Sequence, residues 1–217
     1  MYILDIETRP DRNLVGLFNE EIKPDSRLKD PVKIAESIKE KQEESIKAMS
    51  TDIDYSEIVC IGIKEFEKDP VTMTLQEYAD WLEERQAGLG EKEWKTPAES
   101  SKNKVQKMIT FNGKAFDLPI IVNCGIKQGI NLPYAMLLEA CDKYRAVNHL
   151  DLMEKLGRVY GKQKSLDAYM RIYLGIKKET LGDEFFRNAT DEELKKHCLE
   201  DLVYTEELYK KFLPLFV

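Results

Sequence analysis

Apolar residues along the chain fall into short strand-like runs that are separated by longer helical repeats. Period-2 or continuous apolar runs predict five strands, over residues 1–8, 57–67, 71–73, 108–111 and 147–150. Apolar stripes of helical period predict helices over 32–49, 74–85, 133–144, 151–159, 165–175 and 190–212, and one more beginning at 117. This order predicts an α/β protein with a mixed five-stranded sheet, in which three antiparallel strands are followed by parallel additions through helical crossovers.

The last predicted helix has the clearest pattern. Thr190 and Glu193 have the spacing of a capping box, which predicts that the helix begins at this point. The same box is expected at Thr74. The predicted buried stripe of the helix over 190–212 consists of Leu194, Cys198, Leu202 and Thr205. His197 and Asp201 are four residues apart and therefore lie side by side on one face of this helix.

The length of 217 residues predicts one domain over 1–217, long enough to bury a substantial core. Residues 9–56 are mostly charged and are interpreted as a helical insertion, which either packs over the sheet or a substrate groove or is a solvated helix without function. Residues 87–104 contain Gly, Ser and Lys and predict a flexible loop.

Composition narrows the class of protein only slightly. The net charge of −7 lacks the basic excess of many nucleic-acid binders, but metal-binding acids would add negative charge that cations neutralise. The four cysteines share no CxxC spacing, which indicates a reducing compartment and argues against a zinc site. No apolar run reaches the length of a membrane span, and the first strand begins at Met1 without a signal peptide, so we expect a cytoplasmic protein without membrane contact.

The first strand carries two acids in an apolar run. Asp5 and Glu7 are two residues apart, so both side chains point to the same face at the end of the strand. Two neighbouring carboxylates raise each other's energy unless a proton or a cation neutralises them. The pair therefore indicates a metal site, although acids are also ordinary where a strand simply ends in solvent.

Two further acids are predicted to reach the same point. Asp117 follows the strand that ends at Phe111, and sites in such sheets form beyond the carboxyl ends of strands. Asp201 on the last helix would complete a set of four carboxylates. Asp117 is alternatively a helix cap, and His197 is alternatively an exposed helix residue.

An all-oxygen set of ligands favours Mg²⁺ or Mn²⁺ over zinc. Two such ions, roughly 3.5–4 Å apart, can clamp the attacking and leaving oxygens of a phosphodiester. His197, one helical turn from Asp201, is placed to take a proton from the attacking water.

Several motifs resemble the DnaQ-like 3′–5′ exonucleases, a superfamily marked by four acids. The resemblance is to the stand-alone branch that is similar to the proofreading domain of family B DNA polymerases, and it runs from Met1 to the C-terminus. The motifs that carry it are Leu4-Asp-Ile-Glu-Thr8, Thr110-Phe-Asn-Gly-Lys-Ala-Phe-Asp-Leu-Pro119, His149-Leu-Asp-Leu-Met153, Ser165-Leu-Asp-Ala168 and His197-Cys-Leu-Glu-Asp201.

The resemblance implies a ribonuclease H-like fold and hydrolysis of nucleotides from a 3′ end with two Mg²⁺ or Mn²⁺ ions. The implied metal ligands are Asp5, Glu7, Asp117 and Asp201. It also implies that Thr8 lies near the terminal nucleotide, that Asn112 contacts the substrate backbone and that Phe116 packs against a base.

The implied substrate is the 3′ end of single-stranded or frayed DNA. A polymerase domain does not fit in 217 residues, so we expect any editing to act in trans with replication or repair proteins, or the role to be DNA repair or degradation. The alternatives are a 3′–5′ exoribonuclease with the same chemistry, and a non-catalytic nucleic-acid-binding module that retains the fold.

The third motif departs from the pattern of the resemblance. One branch has Tyr four residues before the Asp (Tyr-x3-Asp), whereas the other has His five residues before it (His-x4-Asp). This chain combines His197 with the x3 spacing of the Tyr branch. His197 thus stands in the Tyr position, and the sequence leaves open whether it is the general base or orients the water.

Overall fold

The computed structural model describes residues 1–88, 108–142, 148–177, 185 and 188–215. Its strands are β1 (Tyr2–Pro10), β2 (Ser56–Glu65), β3 (Val71–Met73), β4 (Met108–Thr110) and β5 (His149–Asp151). They form one sheet in the order β3-β2-β1-β4-β5. β2 and β3 pair antiparallel, and β4 pairs parallel with both β1 and β5. The mixed five-stranded sheet is confirmed, as is the prediction that the first strand and the strand at 108–111 are neighbours.

The helices are α1 (Val15–Glu21), α2 (Pro31–Met49), α3 (Leu75–Gly88), α4 (Asp117–Gln128), α5 (Tyr134–Cys141), α6 (Leu152–Tyr160), α7 (Leu166–Tyr173) and α8 (Asp191–Phe212), with a 3₁₀ turn at Leu213–Leu215. The sequence pattern predicted all of these helices except α1, whose seven residues are too few to establish a periodic stripe. Among the helices described, none is long and apolar enough to cross a membrane.

The predicted helix starts are confirmed by their hydrogen bonds. Thr190 and Glu193 form a reciprocal capping box at the start of α8, and Thr74 and Glu77 do the same at α3. Asp151 caps α6 by accepting the N–H of Glu154. These contacts satisfy backbone donors that a helix cannot satisfy internally.

β1 separates two hydrophobic clusters. Tyr2, Leu4 and Ile6 belong to a cluster built with α3, α4 and α5. Ile3, on the opposite face of the strand, belongs to a second cluster that includes Leu202 and other residues of α8. Because side chains alternate along a strand, Asp5 and Glu7 share the face of Ile3 and point toward α8.

Gly62 in β2 allows α8 to approach the sheet closely. A Cβ at this position would lie 2.5 Å from the Cys198 Sγ and 2.8 Å from the Leu202 Cδ1. Only glycine leaves the space that these two side chains occupy. The close approach places α8 beside Asp5 and Glu7. These acids were predicted at the end of the first strand, but β1 continues past them to Pro10.

Residues Thr8–Glu57 form a compact unit of their own, and the predicted insertion at 9–56 falls within these bounds. Within the unit, the rings of Phe18 and Tyr55 meet edge to face with centroids 4.6 Å apart. The Asp11 N–H donates to the Tyr55 carbonyl oxygen at 2.8 Å. The remainder of the described chain, with Met1–Glu7, forms the second unit.

Some predicted boundaries fall outside the described residues. The loop predicted at 87–104 is one such case, except that residues 87 and 88 belong to α3. Residues 143 and 144 of the predicted helix at 133–144 and residue 147 of the predicted strand at 147–150 are also outside them.

Candidate active site

Asp5 lies at the centre of a group of carboxylates. Burial and the negative charges of Asp117, Glu7 and Asp201 raise the pKa of Asp5 well above its ordinary range. A hydrogen bond with the Cys198 thiol opposes this rise without cancelling it. The structure thus brings the four predicted acids together, and their ionised forms together require a proton or a cation.

Asp117 is held against β1 at the start of α4. Its Oδ1 accepts the Ile6 N–H at 3.1 Å, and its side chain is almost fully buried. Burial raises the pKa of Asp117 to about 8, to which the charges of Asp151 and Glu7 also contribute. The N-cap of α4 is Phe116, so Asp117 is not the helix-capping residue of the alternative interpretation.

His197 on α8 faces the acids of β1. Its Nδ1 lies 2.6 Å from the Glu7 Oε1 and 3.9 Å from the Asp201 Oδ2, and its side chain is 11% exposed. The ring of Phe185 lies against it with centroids 6.2 Å apart. The alternative of an exposed helix histidine is therefore wrong for this residue.

Asp151 is a buried carboxylate beside the site, and the sequence named it only as part of the motif at residues 149–153. Its Oδ1 accepts the Asn112 N–H at 3.2 Å, and its Oδ2 accepts the Lys114 N–H at 3.0 Å. It also accepts from Glu154 at the start of α6. One side chain therefore fixes the turn that leads to Asp117. The only sequence signal for this role is the motif at residues 149–153.

A second set of buried hydrogen bonds also holds the turn after β4. The Gly113 N–H donates to the Thr110 Oγ1 at 3.1 Å, and the same Oγ1 lies 2.8 Å from the His149 Nε2. The His149 Nδ1 lies 2.7 Å from the Ala140 carbonyl oxygen. A carbonyl only accepts, so Nδ1 carries the proton and Nε2 accepts from Thr110. Burial lowers the pKa of His149, which is consistent with this neutral form.

The predicted substrate-contacting residues occupy three different settings. Asn112 has a φ of +69° and begins the turn after β4, where it is placed by Asp151. Phe116 is partly buried and packs against the hydrophobic cluster of α4. Thr8 belongs to the unit Thr8–Glu57, and its hydroxyl donates to the Ser50 carbonyl oxygen at 2.6 Å.

The chemistry of these donors fits a hard divalent cation. The four acids supply only oxygen atoms, which are the ligands that Mg²⁺ and Mn²⁺ prefer. Their negative charges also repel one another, and a bound cation would neutralise this repulsion. Within the described ranges, however, no three His, Cys, Asp or Glu side chains converge into a closed metal-binding group. The acids are neighbours at one end of the sheet rather than a finished ligand shell.

The mixed sheet with its flanking helices defines an α/β protein of ribonuclease H-like fold. Residues 54–215 match the model of a family described as predicted 3′–5′ exonucleases related to the exonuclease domain of PolB. The chain belongs to this family. The matched residues include Asp117, His197 and Asp201, whereas Asp5 and Glu7 precede them.

The family B DNA polymerase from the hyperthermophilic archaeon Pyrobaculum calidifontis has a similar structure, with a TM-score of 0.53 and 14% sequence identity. The similarity covers 98% of this chain and 24% of the polymerase chain, so this chain spans about a quarter of that protein. At this level of identity the likeness establishes the fold. No curated protein matches the sequence.

Proposed function

We propose that this protein is a metal-dependent 3′–5′ exonuclease that removes nucleotides from the 3′ end of single-stranded or frayed DNA. One observation carries the proposal: Asp5 lies in the central strand, and three other carboxylates act on its charge. Such a group is costly in a folded protein unless cations are part of its function. Membership of a family of predicted 3′–5′ exonucleases supports this reaction class.

Asp5, Glu7, Asp117 and Asp201 would hold two Mg²⁺ or Mn²⁺ ions. When bound, these ions would stabilise the charge that develops on the attacking and leaving oxygens of the phosphodiester. The hydrogen bonds that these acids already make limit their movement: Asp117 is held by the Ile6 N–H, and Glu7 by His197.

His197 would both orient Glu7 and accept a proton. An ionised Glu7 carboxylate can only accept a hydrogen bond, so the Nδ1 of His197 is the donor at 2.6 Å. This tautomer has its lone pair on Nε2, and Nε2 would then take the proton from the attacking water.

The substrate would approach through the turn after β4. Asn112 would contact the backbone of the strand, Thr8 would lie near the terminal nucleotide, and Phe116 would pack against a base. DNA is favoured because the structure is similar to a family B DNA polymerase. We also propose that this protein acts together with replication or repair proteins.

The test uses Asp5→Asn, which removes a charge and keeps the shape. With Mg²⁺ or Mn²⁺ and 3′-labelled single-stranded DNA, the wild type should release mononucleotides, a chelator should stop it, and Asp5→Asn should abolish it. Asp69→Asn, an exposed acid in the turn before β3, is the matched control and should retain full activity. Release by pure Asp5→Asn at the wild-type rate would overturn the mechanism.

The same assay separates the alternative functions. Matched DNA and RNA oligonucleotides distinguish an exonuclease acting on DNA from an exoribonuclease, since recognition of the 2′-hydroxyl depends on the substrate pocket. Binding without hydrolysis under all metal conditions would indicate the non-catalytic module instead.

A further inference from the structure

We infer that residues 152–177, here called the basic segment, form a surface that binds the phosphate backbone of the single-stranded substrate on the 5′ side of its terminal nucleotide. The basic segment comprises α6, the loop after it, α7 and the four residues that follow α7. It contains six basic and two acidic residues, in a chain whose net charge is −7. The inference rests on the proposed function for the identity of the polyanion, and on the following contacts for the surface itself.

Both acids of the basic segment are already paired. The Glu154 Oε2 lies 2.8 Å from the Lys114 Nζ, in a largely buried contact. The Asp167 Oδ2 accepts from Arg171 at 2.9 Å, one turn along α7. Neither acid is therefore available to neutralise the remaining positive charge.

That positive charge is presented to solvent. The exposed cations that remain on the basic segment are Lys155, Lys162, Lys164 and Lys177. Within the part of the chain that the structure describes, none of these four lysines makes an ion pair. A cluster of unpaired cations on an otherwise acidic protein is typical of a surface that binds a polyanion.

The loop that carries two of these lysines is held in place. The Tyr169 hydroxyl donates to the Lys162 carbonyl oxygen at 3.5 Å. Gln163 packs over Gly157, where a Cβ would lie only 2.6 Å from the Gln163 Cγ. Gly161, with a φ of +70°, ends α6 and turns the chain back. The lysine backbones are thus positioned before any ligand binds, which reduces the entropy lost on binding.

The basic segment begins at the candidate active site. Asp151 caps α6 and also holds the turn at Asn112 and Lys114 that leads to Asp117. Lys155 lies one turn into α6 from this point. A helix of this length extends the surface by roughly 13 Å away from the acids, which is enough to follow a strand whose 3′ end lies among them.

Among the side chains that the structure describes, the aromatic residues of the basic segment are Tyr169 and Tyr173, and they indicate contact with phosphates rather than with bases. Tyr169 is fully buried, and Tyr173 stacks on it at 6.0 Å and meets the edge of Phe212 at 4.9 Å. Both rings are thus used inside the protein instead of forming a stacking platform for bases. Binding to this surface should therefore be independent of nucleotide sequence.

The test compares two triple variants of equal charge change. Lys155→Gln/Lys162→Gln/Lys164→Gln removes the proposed contacts, and Lys68→Gln/Lys127→Gln/Lys211→Gln removes three exposed lysines elsewhere. Binding of a fluorescent oligodeoxythymidine 12-mer is measured by anisotropy in chelator over a range of salt concentrations. Each lost phosphate contact reduces the magnitude of the slope of log K against log salt by about 0.7. The slope for Lys155→Gln/Lys162→Gln/Lys164→Gln should therefore be smaller in magnitude than the wild-type slope by about 2.

The control triple variant should keep the wild-type slope. Equal slopes for both variants would overturn the inference and would leave an acidic protein as the partner for this surface. Thermal melts of both variants verify that the exposed substitutions leave the fold intact.

Hydrolysis of thymidine 5′-monophosphate p-nitrophenyl ester separates this inference from the proposed function. This small diester has no strand to contact the basic segment, so the first triple variant should hydrolyse it at the wild-type rate while its KM for the 12-mer rises. If the wild type hydrolyses neither substrate, the proposed function fails, and the salt slope still decides whether the surface binds DNA.

Discussion

The Nδ1 of His197 lies 2.6 Å from the Oε1 of Glu7, although 190 residues separate the two in sequence. The contact joins the last long helix to the central strand. Both side chains are largely buried, at 11% and 10% exposure, so the hydrogen bond is shielded from competing water. The hydrogen bond directly connects His197, which is able to transfer protons, with Glu7, which is an acid of the proposed metal site.

His197→Gln and His197→Ala distinguish orientation of Glu7 from proton transfer. A Gln amide can still donate to Glu7 but cannot take a proton from water, whereas Ala does neither. We expect both variants to lose about 10²–10⁴-fold in kcat, the usual contribution of a general base. Only Ala should also weaken Mg²⁺ binding, measured by calorimetry. Recovery of kcat in His197→Gln would show that His197 only orients Glu7.

The raised pKa of Asp117 should make the stability of the metal-free protein depend on pH. Its pKa is raised from 3.8 to about 8, so the folded state favours the protonated acid. The stabilisation from this proton is complete below about pH 4 and is lost as pH rises toward 8. The free energy of unfolding in chelator, measured by urea denaturation, should fall less over this window in Asp117→Asn than in the wild type.

The control for this measurement is Asp69→Asn, which should follow the wild-type pH dependence because Asp69 is exposed. Superimposable curves for Asp117→Asn and the wild type would show that Asp117 titrates near its ordinary range in the folded protein.

Divalent metal is expected to stabilise the protein through the same acids. At an Mg²⁺ concentration about 100 times the Kd, binding adds about 2.7 kcal/mol to the free energy of unfolding, or roughly 5–10 °C in Tm for a domain of this size. Asp5→Asn should melt higher than the wild type in chelator, because it removes repulsion, yet gain little from Mg²⁺. Differential scanning calorimetry at constant ionic strength measures both effects, and an equal gain from Mg²⁺ in the variant would contradict the site.

Asp151→Asn tests the residue that holds the turn before Asp117. Asn caps helices about as well as Asp, so the start of α6 should persist. The Lys114 N–H would then face an amide instead of the Oδ2 that now lies 3.0 Å away. We expect a loss of about 1–3 kcal/mol in stability and a lower kcat, with KM for a mononucleotide ester little changed.

Thr74→Ala is the matched control for Asp151→Asn, since Thr74 is an exposed residue that caps α3. It should cost about 1 kcal/mol in urea denaturation and leave kcat at the wild-type value. A wild-type kcat in Asp151→Asn would show that the carboxylate serves only the helix.

Much of the fold follows from local patterns. The capping boxes at Thr74 and Thr190 were predictable because each is completed within four residues, by contacts that form whenever the helix forms. The shared face of Asp5 and Glu7 likewise follows from the period of a strand. Helix α1 was not predicted because its seven residues are too few to show a helical repeat of apolar positions.

The site itself depends on contacts between distant parts of the chain. From the sequence, Asp151 was one residue of a motif without an assigned role, and His197 was either the general base or a residue that orients the water. Only the parallel pairing of β4 with β5 brings Asp151 to the Asn112–Lys114 turn, and only the packing of α8 on Gly62 brings His197 to Glu7. The motifs in the sequence identified the acids themselves. Charge interactions become weaker with distance, so the tertiary structure alone decided which carboxylates lie close enough to raise one another's pKa.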